Sequence, residues 1–411
     1  MKIFSRILFF LPLLFASLAF VGCKETDTLS CPENISMLQP GDSAARTVLV
    51  YIMAENNLSD NAELDILEMK RGVSDIPDSC YMLAFVDDTR APRVCRFYKN
   101  TKGVAVCDTV LKFNEDFYST DTAMFKEVLT WVLDEYPSEN MGLVMWSHGS
   151  GWVYDVNRTK SIGLDNGQNK YNNLLPTSRW MEVDELASVL ESLQVKIDYL
   201  LFDACFMQCI EVAYPMRRAV DWVVGSPAEL PANGAPYDMI MASLFSFPFD
   251  AKTLIERYKE YYPEYNGVVL SAIKTDALDR LAEITSSVIP AFFSYPDTLN
   301  DSRVFSYLPG GYFSAQISYP EYCDMNGEMM LRLPSDLYAC WKEAFDAAVP
   351  YKAASRRWAS GVNASFYNVN HSQFGGVSMY LPRNKVDYSR FNSEFRYTEW
   401  YEAAGWEFAG W

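Results

Sequence analysis

Histidine is nearly absent from this chain of 411 residues: only His148 and His371 carry an imidazole. Chemistry that needs a proton shuttle near neutral pH must use one of these two. The nine cysteines, Cys23, Cys31, Cys80, Cys95, Cys107, Cys205, Cys209, Cys323 and Cys340, include no CxxC pair and no Cys/His spacing of the zinc type, so no metal site is expected from them. Positive charge is also short. Lys and Arg total 35 against 53 Asp and Glu, a net charge of −18. Such a surface repels phosphate backbones, excludes nucleic acid as a partner and suits a basic substrate. No apolar run after the first two dozen residues is long enough to span a bilayer, and there are no internal repeats or low-complexity tracts. What the chain has in quantity is aromatic mass, 15% of its residues, which argues against long disorder.

The N-terminus reads as an address. Lys2 and Arg6 precede an apolar run from Ile7 to Val21 that is too short to span a bilayer. It closes on Phe20-Val21-Gly22-Cys23, which resembles a bacterial lipobox with Phe where Leu is usual. Residues 1–22 are therefore expected to be a signal peptide, and Cys23 the lipidated first residue of the mature chain. That makes an exported bacterial lipoprotein, anchored to a membrane of the cell envelope or at the cell surface. Residues 23–45 are polar, aperiodic and punctuated by Pro32, Pro40 and Gly41, as in a tether. Eight other thiols then face an oxidising compartment, where disulfides can form in pairings the sequence does not specify.

From residue 46 onward, apolar runs of strand length alternate with helical patterns. Thr47–Met53, Tyr81–Val86, Met141–Ser147, Ile197–Phe202 and Trp222–Gly225 read as strands, with a hairpin over Val94–Tyr98 and Val104–Phe113. Helices are expected over Asn57–Met69, Asp121–Tyr136, Val183–Leu193 and Phe206–Ala219, with a polar loop from Ser150 to about Arg179. Unbroken apolar strands alternating with helices predict an α/β fold, a mostly parallel sheet with helices on both faces. Residues 46–260 form its core. Residues 261–411, with strands at Val268–Ile273 and Gly376–Leu381 and helices at Leu278–Val288 and Pro334–Ala348, complete the sheet and pack on that core.

Two strands end in reactive residues. Met141–Ser147 delivers His148, and Ile197–Phe202 delivers Asp203-Ala204-Cys205. In an open parallel sheet such groups emerge at one carboxyl edge, and successive strands tend to be neighbours. Cys205 as nucleophile and His148 as general acid and base are the expected catalytic pair. A helix starting directly after Cys205 would favour its thiolate. The backbone N–H groups of Gly149 and Cys205 are candidates for an oxyanion hole.

TVLVYIMAENNLSDNAELDILEM, MGLVMWSHGSGW, IDYLLFDACFMQCIEVAY and GGVSMYLP together resemble the clostripain family of cysteine peptidases, over a span from Arg46 to Trp411. That family shares a caspase-like α/β fold with gingipains and legumains. The resemblance implies an endopeptidase cutting after Arg or Lys, with acidic groups near the nucleophile. Asp203 matches the Asp two residues before the family's Cys, and Glu229 or Asp238 of SPAELPANGAPYD would supply a second acid. It also implies self-cleavage between the two catalytic strands, for which Arg158, Lys160, Lys170 and Arg179 are candidate sites. No organic cofactor is implied. Calcium is, although the sequence holds no EF-hand loop. The alternatives are a cysteine peptidase of non-basic specificity and a non-catalytic surface lipoprotein that binds peptide or glycan.

Overall fold

The computed structural model describes residues 38–410 apart from 154–160, 168–174, 194, 295–304, 314–317 and 383–390. The expected signal peptide, Cys23, most of the tether, and Arg158, Lys160 and Lys170 lie outside the described residues.

The run TVLVYIM forms the centre of the molecule for a simple reason. In a strand, successive side chains point to opposite faces, and here both faces are apolar. Strand β1 (Ala44–Met53) sends Leu49, Tyr51 and Met53 into one buried cluster and Val48, Val50 and Ile52 into another. β2 (Cys80–Asp87) and β5 (Ser138–Trp146) pair with it in parallel on either side. β3 (Arg93–Lys99) and β4 (Ala105–Lys112) extend the β2 edge as an antiparallel hairpin. A separate short hairpin joins β6 (Ile162–Asp165) to β7 (Arg179–Met181). β8 (Ile197–Asp203) and β9 (Val220–Gly225) continue the parallel sheet beyond β5. β10 (Val269–Lys274) and β11 (Tyr351–Ala354) close that edge antiparallel. The strand order is β11-β10-β9-β8-β5-β1-β2-β3-β4.

Helices α1 (Ser59–Arg71), α2 (Thr122–Glu135), α3 (Val183–Ser192), α4 (Ile210–Met216), α5 (Tyr237–Leu244), α6 (Ala251–Tyr261) and α7 (Leu278–Ser294) cover the sheet. Buried residues of α2, α3, α4 and α7 join the cluster on one face, and those of α1, α5 and α6 the cluster on the other.

The chain departs from β1 to β2 on one side and returns to set β5 on the other. The carboxyl ends of β1 and β5 therefore bound a topological switch point, where open α/β sheets form their crevices.

Four expectations need correction. The expected helix Phe206–Ala219 is helical only over Ile210–Met216. Phe206 N–H bonds Ala228 C=O (3.0 Å) and Gln208 N–H bonds Ser226 C=O (3.0 Å), so residues 206–208 run beside the 226–228 segment instead. The polar loop after Ser150 contains β6, too short to show a period. Of Gly376–Leu381, only Ser378–Met379 is a strand. It pairs with Cys323–Asp324 outside the main sheet, whose edge is β11. The tether is shorter than expected, because β1 starts at Ala44 and Gly41 N–H already bonds Glu135 C=O (2.8 Å).

Candidate active site

Register places the two reactive residues. Trp146 of β5 stands opposite Asp203 of β8, so His148 and Cys205 each lie two residues beyond one paired rung. On the β5 side, the Trp146 indole N–H donates to the Asp65 carboxylate of α1 (2.7 Å). The Ser147 hydroxyl donates to Met53 C=O (2.7 Å) and accepts from Leu164 N–H (3.1 Å). His148 is the one residue from Met141 to Ser150 that is not buried. Its Nε2 lies 2.8 Å from Asn57 Oδ1. Since that oxygen can only accept, Nε2 carries the proton and the lone pair is left on Nδ1. The turn bearing Asn57 is itself tied down: Asn56 Nδ2 donates to Met53 C=O (3.1 Å) and Leu164 C=O (2.6 Å), and Asn56 Oδ1 accepts from Leu58 N–H (2.8 Å).

On the β8 side the chain turns sharply after Cys205, because Phe206 adopts φ 62°, a left-handed conformation uncommon for a bulky residue. Stacking of its ring on Tyr322 (centroids 4.7 Å apart) helps to hold it there. Cys205 is left partly exposed amid buried neighbours, and its Sγ accepts from Leu230 N–H (3.3 Å). The two loops touch. A Cβ on Gly149 would stand 2.5 Å from the Cys205 carbonyl oxygen, so only glycine fits. Gly149 also bridges Ile162 through bonds made by His148 C=O and Ser150 N–H. Its own N–H is thereby turned to the opposite side of the strand.

The electrostatics overturn one expectation. Without a helix start at Cys205, backbone N–H groups offset only part of the low-dielectric setting. Burial, reinforced by the Glu229 carboxylate and opposed by Leu230 N–H, pushes the thiol up to about 12. Burial also lowers His148 to about 4. The resting site therefore holds a neutral thiol and a neutral imidazole.

The three acids expected to bind substrate have separate partners. Asp203 is buried. It accepts from Ala235 N–H (2.9 Å), Tyr237 O–H (3.1 Å) and Tyr258 O–H (2.9 Å), and burial raises its pKa. Glu229 accepts from the Ser360 hydroxyl, Gly361 N–H (2.8 Å) and Val362 N–H (3.2 Å) while remaining within the electrostatic reach of Cys205. Asp238 is directed away, to Arg71 (2.9 Å). Arg179 sits in β7 with its guanidinium over the Tyr118 ring (4.1 Å). His371 is exposed on a turn, and Trp152 is a packing residue against Tyr380 and Phe395. The Glu55-Asn56-Asn57 cluster is visible in the sequence as following a strand end, but no motif there assigns Asn57 a catalytic role; its position just past the end of β1, at the switch point, was the available signal.

Fold and site together define the class: a cysteine peptidase built on a caspase-like, mostly parallel sheet. More particularly, the chain belongs to the clostripain family, whose model matches residues 50–411. It is 27% identical over 224 residues to Clostripain of Hathewaya histolytica, an alignment covering 47% of this chain and 41% of that protein, so under half of that relative's length is spanned. It is similar to a secreted C11 cysteine protease from Bacteroides thetaiotaomicron solved with an irreversible peptide inhibitor. Identity is 30% and the TM-score 0.76, over 89% of this chain and 99% of the other. It is also similar to an inactive zymogen C11 protease from Parabacteroides distasonis, with 26% identity and TM-score 0.71 over 88% and 99%. Among the described residues no helix is long and apolar enough to cross a membrane.

Proposed function

We propose that the chain is an exported endopeptidase that cleaves after Arg or Lys, with Cys205 as nucleophile and His148 as general acid and base. The observation that carries this reading is the seating of both side chains two residues past one rung, with the Gly149 backbone pressed on the Cys205 carbonyl. The thiol passes its proton to His148 as sulfur attacks the scissile carbonyl. Negative charge moves to the carbonyl oxygen, which the N–H groups of Gly149 and Cys205 receive. His148 then protonates the leaving amine, and water, deprotonated by His148, releases the acyl group from sulfur. Asn57 is a positioning residue that fixes the ring and its tautomer.

Basic specificity is supported by the field at the nucleophile: Glu229 and Asp203 are the carboxylates that raise the Cys205 pKa. A positive side chain before the cut would complement them. Asp238, paired with Arg71, is not used in this reading. A panel of fluorogenic peptides varied at the residue before the cut should give turnover after Arg and Lys alone. Glu229→Gln should lower kcat/KM on those peptides about 10-fold or more. Cleavage after other residues points to non-basic specificity; no turnover, with no alkylation of Cys205, points to the non-catalytic binding protein. The secreted character of the Bacteroides thetaiotaomicron relative supports export, with Cys23 as the lipid anchor.

Self-cleavage between the catalytic strands follows from the same specificity. Arg179 is held in a strand and against Tyr118, so cutting is expected after Arg158, Lys160 or Lys170 in preference to it. Intact mass of purified wild-type and Cys205→Ala protein tests this; identical clipping in both ends the idea.

A further inference from the structure

The hairpin at the far edge of the sheet carries two thiols that the catalytic reading does not use. In the β3–β4 ladder Phe97 stands opposite Cys107, and Cys95 opposite Thr109. Residues two apart in a strand share a face, and so do residues opposite one another across a ladder. Cys95 and Cys107 are therefore diagonal neighbours on one face. That face joins the cluster beneath α1, α5 and α6: Cys95 is buried in it, and the half-buried Cys107 packs against it. The register shifts between Val94 and Cys95, a bulge that bends the strand and sharpens its twist. Both cysteines stand as free thiols, and they touch. Cys107 donates its S–H to Cys95 Sγ, which also lies 3.9 Å from Thr109 Oγ1.

Two thiols in contact are set up for oxidation. The Cys107 S–H, helped by the Arg93 charge and working against burial, holds the Cys95 thiol below its ordinary range. The thiolate is the attacking form in exchange with a disulfide. One sulfur of the pair attacks a small disulfide oxidant such as glutathione disulfide, and one thiol leaves. The other sulfur then attacks the mixed disulfide and expels the second thiol. Two S–H bonds are lost and one S–S bond forms, while the oxidant takes up two electrons and two protons and departs as two thiols. Because the sulfurs already meet on one face, closure requires no change of strand register.

We propose that Cys95 and Cys107 are disulfide partners, and that their bond fixes the edge hairpin. That the cell supplies the oxidant rests on the export reading above; the pairing itself rests on the ladder. β4 ends the strand order and is held to the sheet through β3. Such an outer strand frays more readily than the strands inside it. The cross-link closes a short loop over the turn at Asn100–Gly103 and ties β4 to β3 covalently. Lys70 of α1 lies within electrostatic reach of Cys107, and α1 follows directly on the turn that bears Asn57. A fixed hairpin thus also steadies the surface beside α1.

The test supplies the oxidant, so it stands whether or not the chain is exported. It uses the full-length Cys205→Ala protein, in which neither turnover nor self-cutting enters the readout. Reduced protein is treated with excess glutathione disulfide, the remaining thiols are blocked with iodoacetamide, and the protein is digested with trypsin without reduction. The expected product is Val94–Arg96 joined to Gly103–Lys112, seen by mass spectrometry. Cys95→Ser and Cys107→Ser should each abolish it. Dithiothreitol should lower the Tm of the oxidised protein by about 4 °C more than it lowers that of the doubly substituted protein. Recovery of both cysteines alkylated, capping of either by glutathione alone, or a bond from either to another cysteine would overturn the pairing. An equal effect of dithiothreitol on parent and double variant would overturn the stabilising role.

Discussion

Cys205→Ala is expected to remove peptide turnover, by about 10⁴-fold or more, while leaving thermal stability close to that of the parent. In the proposed mechanism the mutation deletes the atom that forms the acyl bond, while the hydrogen bonds given up are those of Sγ with the Leu230 backbone. The pH behaviour of the wild-type enzyme is equally specific. His148 must be neutral to accept a proton, and it is neutral above its own pKa. Because burial lowers that value to about 4, the acid limb of kcat/KM should fall near pH 4 and not near the ordinary 6.5. The thiol is held up to about 12, so a small alkylating reagent should react slowly at pH 7 and faster with each added unit of pH. A peptide-borne reagent, whose carbonyl oxygen fills the oxyanion site, should react far more quickly. Rapid alkylation by the small reagent that stays flat from pH 5 to 8 would mean a resting thiolate–imidazolium pair, contrary to the neutral site described.

The second large effect is expected at Asn57. Asn57→Ala removes the acceptor for Nε2–H and frees the imidazole to rotate and change tautomer. A loss of about 10²-fold in kcat with KM nearly unchanged is expected, since misplacing a catalytic group by about 1 Å costs that much. Asn57→Asp keeps the acceptor but adds a negative charge, which favours the imidazolium and should move the acid limb upward. A purely structural role would change the melting temperature of both variants and leave the acid limb where it was. The limb of the Asp variant therefore separates the two roles.

The parallel core was legible because its strands are apolar on both faces: TVLVYIM and IDYLLF leave little alternative to a buried sheet. The placement of His148 and Cys205 at neighbouring strand ends was legible for a related reason, each being the first reactive residue past such a run that is not fully buried. Three things were not. The segment after Cys205 has helical composition, but Phe206 and Gln208 bond backward to Ala228 and Ser226, and tertiary pairing overrode propensity. Nothing local to Asp203 signals that Tyr237 and Tyr258, from two helices further along the chain, donate to its carboxylate. The meeting of the buried acids Glu55, Asp87 and Asp165 draws on the ends of β1, β2 and β6, far apart in the sequence, and carries no motif at all.

The rung between Trp146 and Asp203 has a wider consequence. Alignment of His148 and Cys205 rests on the ladder between two neighbouring strands, and of the covalent path joining them only the stretch at Ser161–Leu164 also bonds the His148 loop among the contacts described. Beyond that stretch the path could be cut without parting the two strands, and two separate polypeptides meeting along this ladder would still bring the proposed pair together.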